Sequence, residues 1–190
     1  MIIRSGDGEV DIALLENKGL VEFHNEKLDK GFNVGDIFLG RVKRLVPGLN
    51  AAFVDVGYEK DAFLHYHDLG PKMDSLQKYI TEGITGKRNS GLLQDFKIEP
   101  DINKNGKIDQ VLKPNRYLLV QISKEPISTK GPRLTCEISI AGRFLVLVPF
   151  NDKISVSQKI KSRDERDRLR RLISSIKPKN CGVIVRTVAE

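Results

Sequence analysis

Tryptophan is absent from this chain of 190 residues, and cysteine and methionine occur only twice each. Cys136 and Cys181 are too few and too far apart for a disulfide framework. No C-x-x-C pair is present, which argues against a structural zinc or a thioredoxin-like site. Apolar runs stop well short of a membrane span, and the opening MIIRSGDGEVD lacks the apolar core of a signal peptide, so the chain is read as cytoplasmic. What is present suits a folded globular protein: 39% hydrophobic and 30% charged residues, in a length that holds one ordinary domain or a few small ones.

The net charge of +7 is unevenly spread. Residues 157–190 carry ten Lys/Arg against four Asp/Glu, whereas residues 36–69 carry four against five. A polyanion would therefore feel the C-terminal third first, although a solvated charged helix explains the same run.

Alternation of Val10, Ile12 and Leu14 with Asp11, Ala13 and Leu15, the turn ENKG and then LVEFHNE predict a β-hairpin, with Gly19 available for positive φ. A polar link, KLDKGFNVGD, follows. Short strands are expected over residues 37–45, 51–57, 62–65 and 117–122, separated by Pro47-Gly48 and the GYEKD turn. Several short strands with tight turns predict a small barrel. LTCEISI and FLVLVPF, divided by Ala141-Gly142, read as two more strands. One helix is well specified: Ser162 and Glu165 form a capping box, Leu169, Leu172, Ile173 and Ile176 make an apolar stripe, and Pro178 ends it. Arg163, Arg166, Arg170 and Arg171 occupy its other face. After a last strand, GVIVRT, the chain stops at Ala189-Glu190 without turn or cap, an ending expected of a piece of a longer protein.

Residues 70–114 interrupt this pattern with a polar stretch holding one short helical segment, DSLQKYI. An interruption of that length is expected to be functional or mobile. Within it, DINKNGKIDQVL matches the front of a calcium-binding EF-hand loop through Asp101, Asn103, Asn105, Gly106 and Asp109. The twelfth position needs a bidentate glutamate and holds Leu112, so an Asn/Gly-rich turn is the better reading. His65-Tyr66-His67 sets two imidazoles on one predicted strand face, without a third metal ligand in view.

Two features near the first strands bear on function. Phe53 and Phe63 fall on neighbouring strands across a tight turn, where they serve either as base-stacking platforms or as barrel core. Arg41, Lys43 and Arg44 lie beside the Pro-Gly turn and read equally as phosphate contacts or as a solvated strand edge.

The run GRVKRLVPGLNAAFVDVGYEKDAFLHYHDL resembles the S1 RNA-binding domain of the ribonuclease E/ribonuclease G endoribonucleases. KEPISTKGPRLTCEISIAGRFLVLVPF, ISVSQKI and GVIVRT resemble the same family in the same order, so the likeness covers most of the chain outside residues 70–114. It implies a mainly β fold with minor α. Residues 1–36 would open an RNase H-like domain completed later in the parent, and residues 37–136 would form the S1 barrel, of OB type, with the insertion at about 70–114. Residues 137–190 would form an incomplete α+β 5′-sensor region.

By the same resemblance, Phe53, Phe63 and Lys130 match RNA-contacting positions, which turns the reading of the two phenylalanines toward platforms. Lys43 and Arg44 join them as candidate RNA contacts. Arg186 and Thr187, with Gly142 and Val146, match the family's 5′-monophosphate sensor. There the arginine fork and a hydroxyl suit a terminal phosphate. Gln158-Lys159 stands where some members have two arginines, which removes one fixed charge.

The expected partner is single-stranded RNA with a 5′-monophosphate, and homo-oligomerisation of the parent stays open. Magnesium is expected for the parent endoribonuclease, with ligands outside this chain, so the 190 residues alone are expected to be inactive. A stand-alone S1-type RNA-binding module without catalytic role is the alternative. A calcium-regulated adaptor using residues 101–112 is disfavoured by Leu112.

Overall fold

The computed structural model describes residues 1–6, 8–27, 31–88 and 90–190. The chain divides into two compact units, Met1–Gly31 and Phe32–Glu190. The polar link expected over residues 27–36 falls partly on 28–30, outside the described residues.

The first unit is an antiparallel sheet of β1 (Ile2–Gly6), β2 (Glu9–Glu16) and β3 (Gly19–Lys27) in the order β1-β2-β3. The expected hairpin is β2–β3, and β1 adds a strand that the short, mixed run IIRSG did not signal. Positive φ falls on Asn17 (50°) and Lys18 (67°) rather than on Gly19. Glu16 pairs with Gly19, which leaves a two-residue loop with both central residues left-handed, the turn whose twist matches that of the flanking strands.

The second unit is built on a closed five-stranded barrel of OB type. Its strands are β4 (Ile37–Val46), β5 (Ala51–Asp55), β6 (Ala62–His65), β7 (Tyr117–Lys124) and β8 (Arg133–Thr135), in the order β4-β5-β6-β8-β7. Alternation along the strands fills the interior: Val42, Ala52, Val54, Ala62, Leu64, Leu118, Val120, Ile122 and Leu134 are all buried. Full burial of each Val, Leu or Ile side chain stabilises by about 1.5–3 kcal/mol, so this row is the main source of cohesion. Closure comes from the parallel pairing of β6 with β8 at Phe63 and Arg133, and from the Phe63 N–H donating to the Pro132 carbonyl at 2.8 Å.

The described residues of 70–114 pack into this core rather than forming a detached loop. They form α1 (Met73–Ile84) and a short turn of helix, α2 (Ile108–Val111). Met73, Leu76, Phe96, Ile108 and Leu112 join the barrel's buried cluster. Leu112, the residue that breaks the calcium pattern, is 1% exposed, which gives it a packing role in place of a ligating one. Asp101 meanwhile pairs with Lys72 at 2.6 Å.

Beyond the barrel, β9 (Ile140–Ala141), β10 (Leu145–Pro149), β11 (Ile154–Val156) and β12 (Cys181–Val185) form a sheet in the order β11-β12-β10-β9. The single strand expected over LTCEISI is divided between β8 and β9. The Thr135 hydroxyl accepts the Glu137 N–H at 3.1 Å, turning the chain out of the barrel. Helix α3 (Arg163–Ile176) packs Leu169 and Ile173 against Val156, Ile160, Val183 and Val185 in a second, smaller core. The Ser162 hydroxyl accepts the Glu165 N–H at 3.3 Å, but the Glu165 carboxylate binds Arg168 at 2.6 and 2.7 Å. Half of the expected capping box therefore forms. Leu172 and Ile176 are exposed, so the expected apolar stripe narrows to two residues. A single 3-10 turn, Thr187–Ala189, follows Arg186, where the sequence reads as ending without one. Both cysteines are free and buried. No described helix is long and apolar enough to cross a membrane.

Candidate functional site

The outer face of β5 and β6 carries the first candidate site. Phe53 and Phe63 alternate with buried neighbours and lie half-buried outside the core. They are direct register partners, with ring centroids 5.8 Å apart in an edge-to-face arrangement. The Arg44 guanidinium lies 4.1 Å from the Phe53 ring centre, so an aromatic face and a cation form one surface.

A cavity of about 740 Å³ opens over this pair, lined also by Leu49, Lys60, Lys130 and Arg133. Lys130 ends a tight turn pinned by reciprocal backbone bonds with Ile127 at 2.8 and 3.2 Å. Gly131 brings that turn against the barrel: a Cβ there would sit 2.3 Å from the Asp61 carbonyl oxygen. Four cations thus surround two rings, and the lone carboxylate in the lining, Asp61, is paired with Lys43 at 2.7 Å. That hydrogen bond raises the Lys43 pKa above the usual lysine value. Lys43 is not among the lining residues; it faces Asp61 and, at 3.9 Å, Asp55. Lys60 and Arg133 are cavity residues that the sequence did not single out. Arg133 required knowing that β8 closes on β6, a long-range pairing with no local signal.

A second cluster gathers at one end of the β10–β12 pair. Arg186 directly follows β12, and its Nη1 donates to the Gly142 carbonyl at 2.7 Å. Its backbone N–H donates to Phe144, and the Gly142 N–H to Leu145, each at 2.8 Å. The Thr187 hydroxyl shares a hydrogen bond with Ser157 at 2.9 Å. Arg186 and Gly142 are therefore brought together by a direct bond, while Thr187, next in the chain, bonds Ser157 on the β11 side of β12, a residue that had no signal of its own in the sequence. Val146 lies one strand across, paired with Ile184. Among the described residues Arg186 makes no ion pair, so its guanidinium keeps further N–H donors for an anion.

The two imidazoles of His65 and His67 are 5.1 Å apart, but not on one strand face. Strand β6 ends at His65, and His67 sits in the 3-10 turn Tyr66–Leu69. The His65 Nδ1 accepts the His67 N–H at 3.2 Å, and this cap starts the turn. The described residues contain no group of three or more His, Cys, Asp or Glu side chains able to hold a metal ion. They do not fit the magnesium ion expected for the parent.

A profile described as Ribonuclease E/G family matches residues 139–190, which include the Gly142–Arg186–Thr187 cluster. Over all 190 residues the chain is 34% identical to ribonuclease G of Escherichia coli (strain K12), covering 35% of that protein. Ribonuclease G of Haemophilus influenzae is 36% identical over 182 residues, 96% of this chain and 33% of the relative. Ribonuclease E of Nostoc sp. is 40% identical over 158 residues, 83% of this chain and 19% of the relative. The chain thus spans a minor share of the length of the relatives it matches.

Proposed function

The chain belongs to the ribonuclease E/G family, and from that premise we propose that it supplies RNA binding and 5′-end reading to an endoribonuclease. Single-stranded RNA crosses the Phe53/Phe63 surface, where bases stack on the rings. Arg44, Lys60 and Lys130 neutralise its phosphates, while Arg133 is held by the Asp68 carboxylate. The 5′-monophosphate is held at the β10–β12 end, by the Arg186 guanidinium and the Thr187 hydroxyl. Cleavage belongs to residues of the parent outside these 190, with magnesium as the expected metal, and the chain alone is inactive.

The observation that carries this reading is the 2.7 Å bond from Arg186 to the Gly142 carbonyl. It fixes the guanidinium at the end of β12, one residue before the Thr187 hydroxyl in the chain, while no carboxylate among the described residues occupies its remaining donors. A fixed planar fork suits one phosphate group, and charge-assisted bonds contribute roughly 1.5–3 kcal/mol each. A 5′-hydroxyl end offers the fork no partner.

The test compares oligonucleotides that differ only at the 5′ end, at fixed ionic strength because the basic C-terminal third attracts any polyanion. The 5′-monophosphorylated RNA is expected to bind this chain about tenfold more tightly than 5′-hydroxyl RNA. Arg186→Ala is expected to erase that difference and Arg186→Lys to restore little of it, because a point charge does not reproduce the fork. Equal affinity for the two ends in the unaltered chain sinks the assignment.

A further inference from the structure

A second cavity, of about 550 Å³, lies between the Tyr66–Leu69 turn and the insertion. Its walls include Tyr66, His67, Pro71, Ile102 and Lys104, together with the carboxylates of Asp101 and Glu137. Nothing in the aromatic groove accounts for it, since the two cavities share no lining residue. They are nevertheless joined along one surface. Phe63 and His65 lie on the same side of β6, His65 is bonded to His67, and His67 lines the second cavity. Arg133, in the lining of the first, binds the Asp68 carboxylate at 3.0 and 2.9 Å, inside the turn that walls the second.

The insertion wall is fixed in place. The Tyr66 hydroxyl donates to the Asn103 carbonyl, and the Ile102 N–H to Pro71 at 3.0 Å. Asn50 donates to the Gly106 carbonyl at 3.1 Å and accepts the Ile108 N–H at 2.7 Å. Ile108 and Leu112, a few residues further on, are buried in the barrel core and anchor this wall to the strands behind it. The cavity is therefore preformed, within the range of about 300–1,000 Å³ that holds compact ligands. Its chemistry is flat and apolar on the inside, from Pro71, Ile102 and the Tyr66 and His67 rings. At the rim, Lys104 is exposed and makes no ion pair among the described residues. Of the two carboxylates that line the cavity, Asp101 is paired with Lys72, and Glu137 makes no ion pair among the described residues, which confines a phosphate to the Lys104 side.

We propose that this cavity is a second nucleotide subsite, which takes an unstacked base of the same RNA strand after it leaves the Phe53/Phe63 surface. His67 offers the base a ring face, and Lys104 meets the adjoining phosphate. Residues 70–114 thereby wall the subsite and lengthen the strand's footprint on the barrel. The inference rests on the proposal that the aromatic groove binds single-stranded RNA.

The test uses the whole chain and two single-stranded RNAs lacking a 5′-phosphate. One is about 4 nucleotides long, enough for the groove, and the other about 12, enough to reach the cavity. The longer RNA is expected to bind about tenfold more tightly, and His67→Ala or Lys104→Glu to remove that gain while leaving the shorter RNA's affinity unchanged. Both positions are exposed, so folding is preserved. Because the chain has no tryptophan, His67→Trp supplies a single reporter, expected to be quenched by the longer RNA only. A gain that survives both variants, or a reporter that ignores the longer RNA, overturns the subsite. Phe63→Ala separates the two ideas. If it weakens both RNAs while the His67 and Lys104 variants change nothing, the groove stands and the subsite falls. If Phe63→Ala leaves both affinities intact, the groove reading fails and the subsite with it.

Discussion

Gln121 is 5% exposed and uses every hydrogen-bonding group on its amide. Its Nε2 donates to the Gly35 and Ser139 carbonyls at 2.8 Å, and its Oε1 accepts the Ser139 N–H at 2.9 Å. One side chain thus ties the segment that leads into the barrel to the segment that leads out of it. Gln121→Leu keeps the volume but deprives the Gly35 and Ser139 carbonyls and the Ser139 N–H of their partner. Gly35 is exposed and Ser139 half-buried, so water recovers part of the loss of about 1–3 kcal/mol that a fully buried group would suffer. A drop of roughly 1–2 kcal/mol in a urea titration is the expected result, and no measurable loss would show that water fully replaces the amide. In the sequence this residue sits in LLVQI, where a polar side chain looks like the solvent face of a strand. Phe53 and Phe63 show the opposite case. Strand periodicity puts them on the face opposite Ala52, Val54, Ala62 and Leu64, which the structure bears out, but it does not tell which face is the core until the barrel closes.

At the scale of elements, local signals worked where structure is local. The β2–β3 hairpin, the short barrel strands, α1 and α3 lie close to their expected ranges. What escaped depends on contacts distant in sequence: the division of LTCEISI, the closure of β8 on β6, and the burial of the insertion. Arg186, Thr187 and Gly142 were legible as a set only through the family resemblance, because 44 positions separate Arg186 from Gly142. The turn before β8 offers a sharp test of element-level packing. Gly131 faces the Asp61 and Lys60 carbonyls at 2.3 and 2.9 Å from where a Cβ would stand. Neither oxygen is on a flexible side chain, so Gly131→Ala must push the Lys130 turn away from β6. Overpacking of this kind costs about 1–3 kcal/mol, and RNA affinity is expected to fall with it, because Lys130 moves off the groove. Calorimetric melting beside a binding isotherm checks both; an unchanged melt with unchanged affinity would mean that the turn adapts freely.

Across the whole molecule, the larger unit has two cores, and each contains one buried thiol or stands beside one. Cys136 belongs to the barrel cluster, and Cys181 opens β12, the strand that carries Val183 and Val185 into the smaller core. Burial pushes the Cys136 thiol up to about 12, helped by the neighbouring Asp68 and Glu137 carboxylates, and burial also raises Cys181. Thiol reagents attack the thiolate, so at neutral pH neither sulfur reacts until its surroundings open. The two cysteines are therefore built-in clocks for local unfolding, one per core. Timed alkylation followed by mass spectrometry should modify Cys181 sooner than Cys136, since β12 lies in the smaller core and the barrel strands close on themselves. Equal rates would mean that the two cores breathe as a single cooperative unit, and a contact made at Arg186 would then be felt directly by the barrel proposed to hold the rest of the strand.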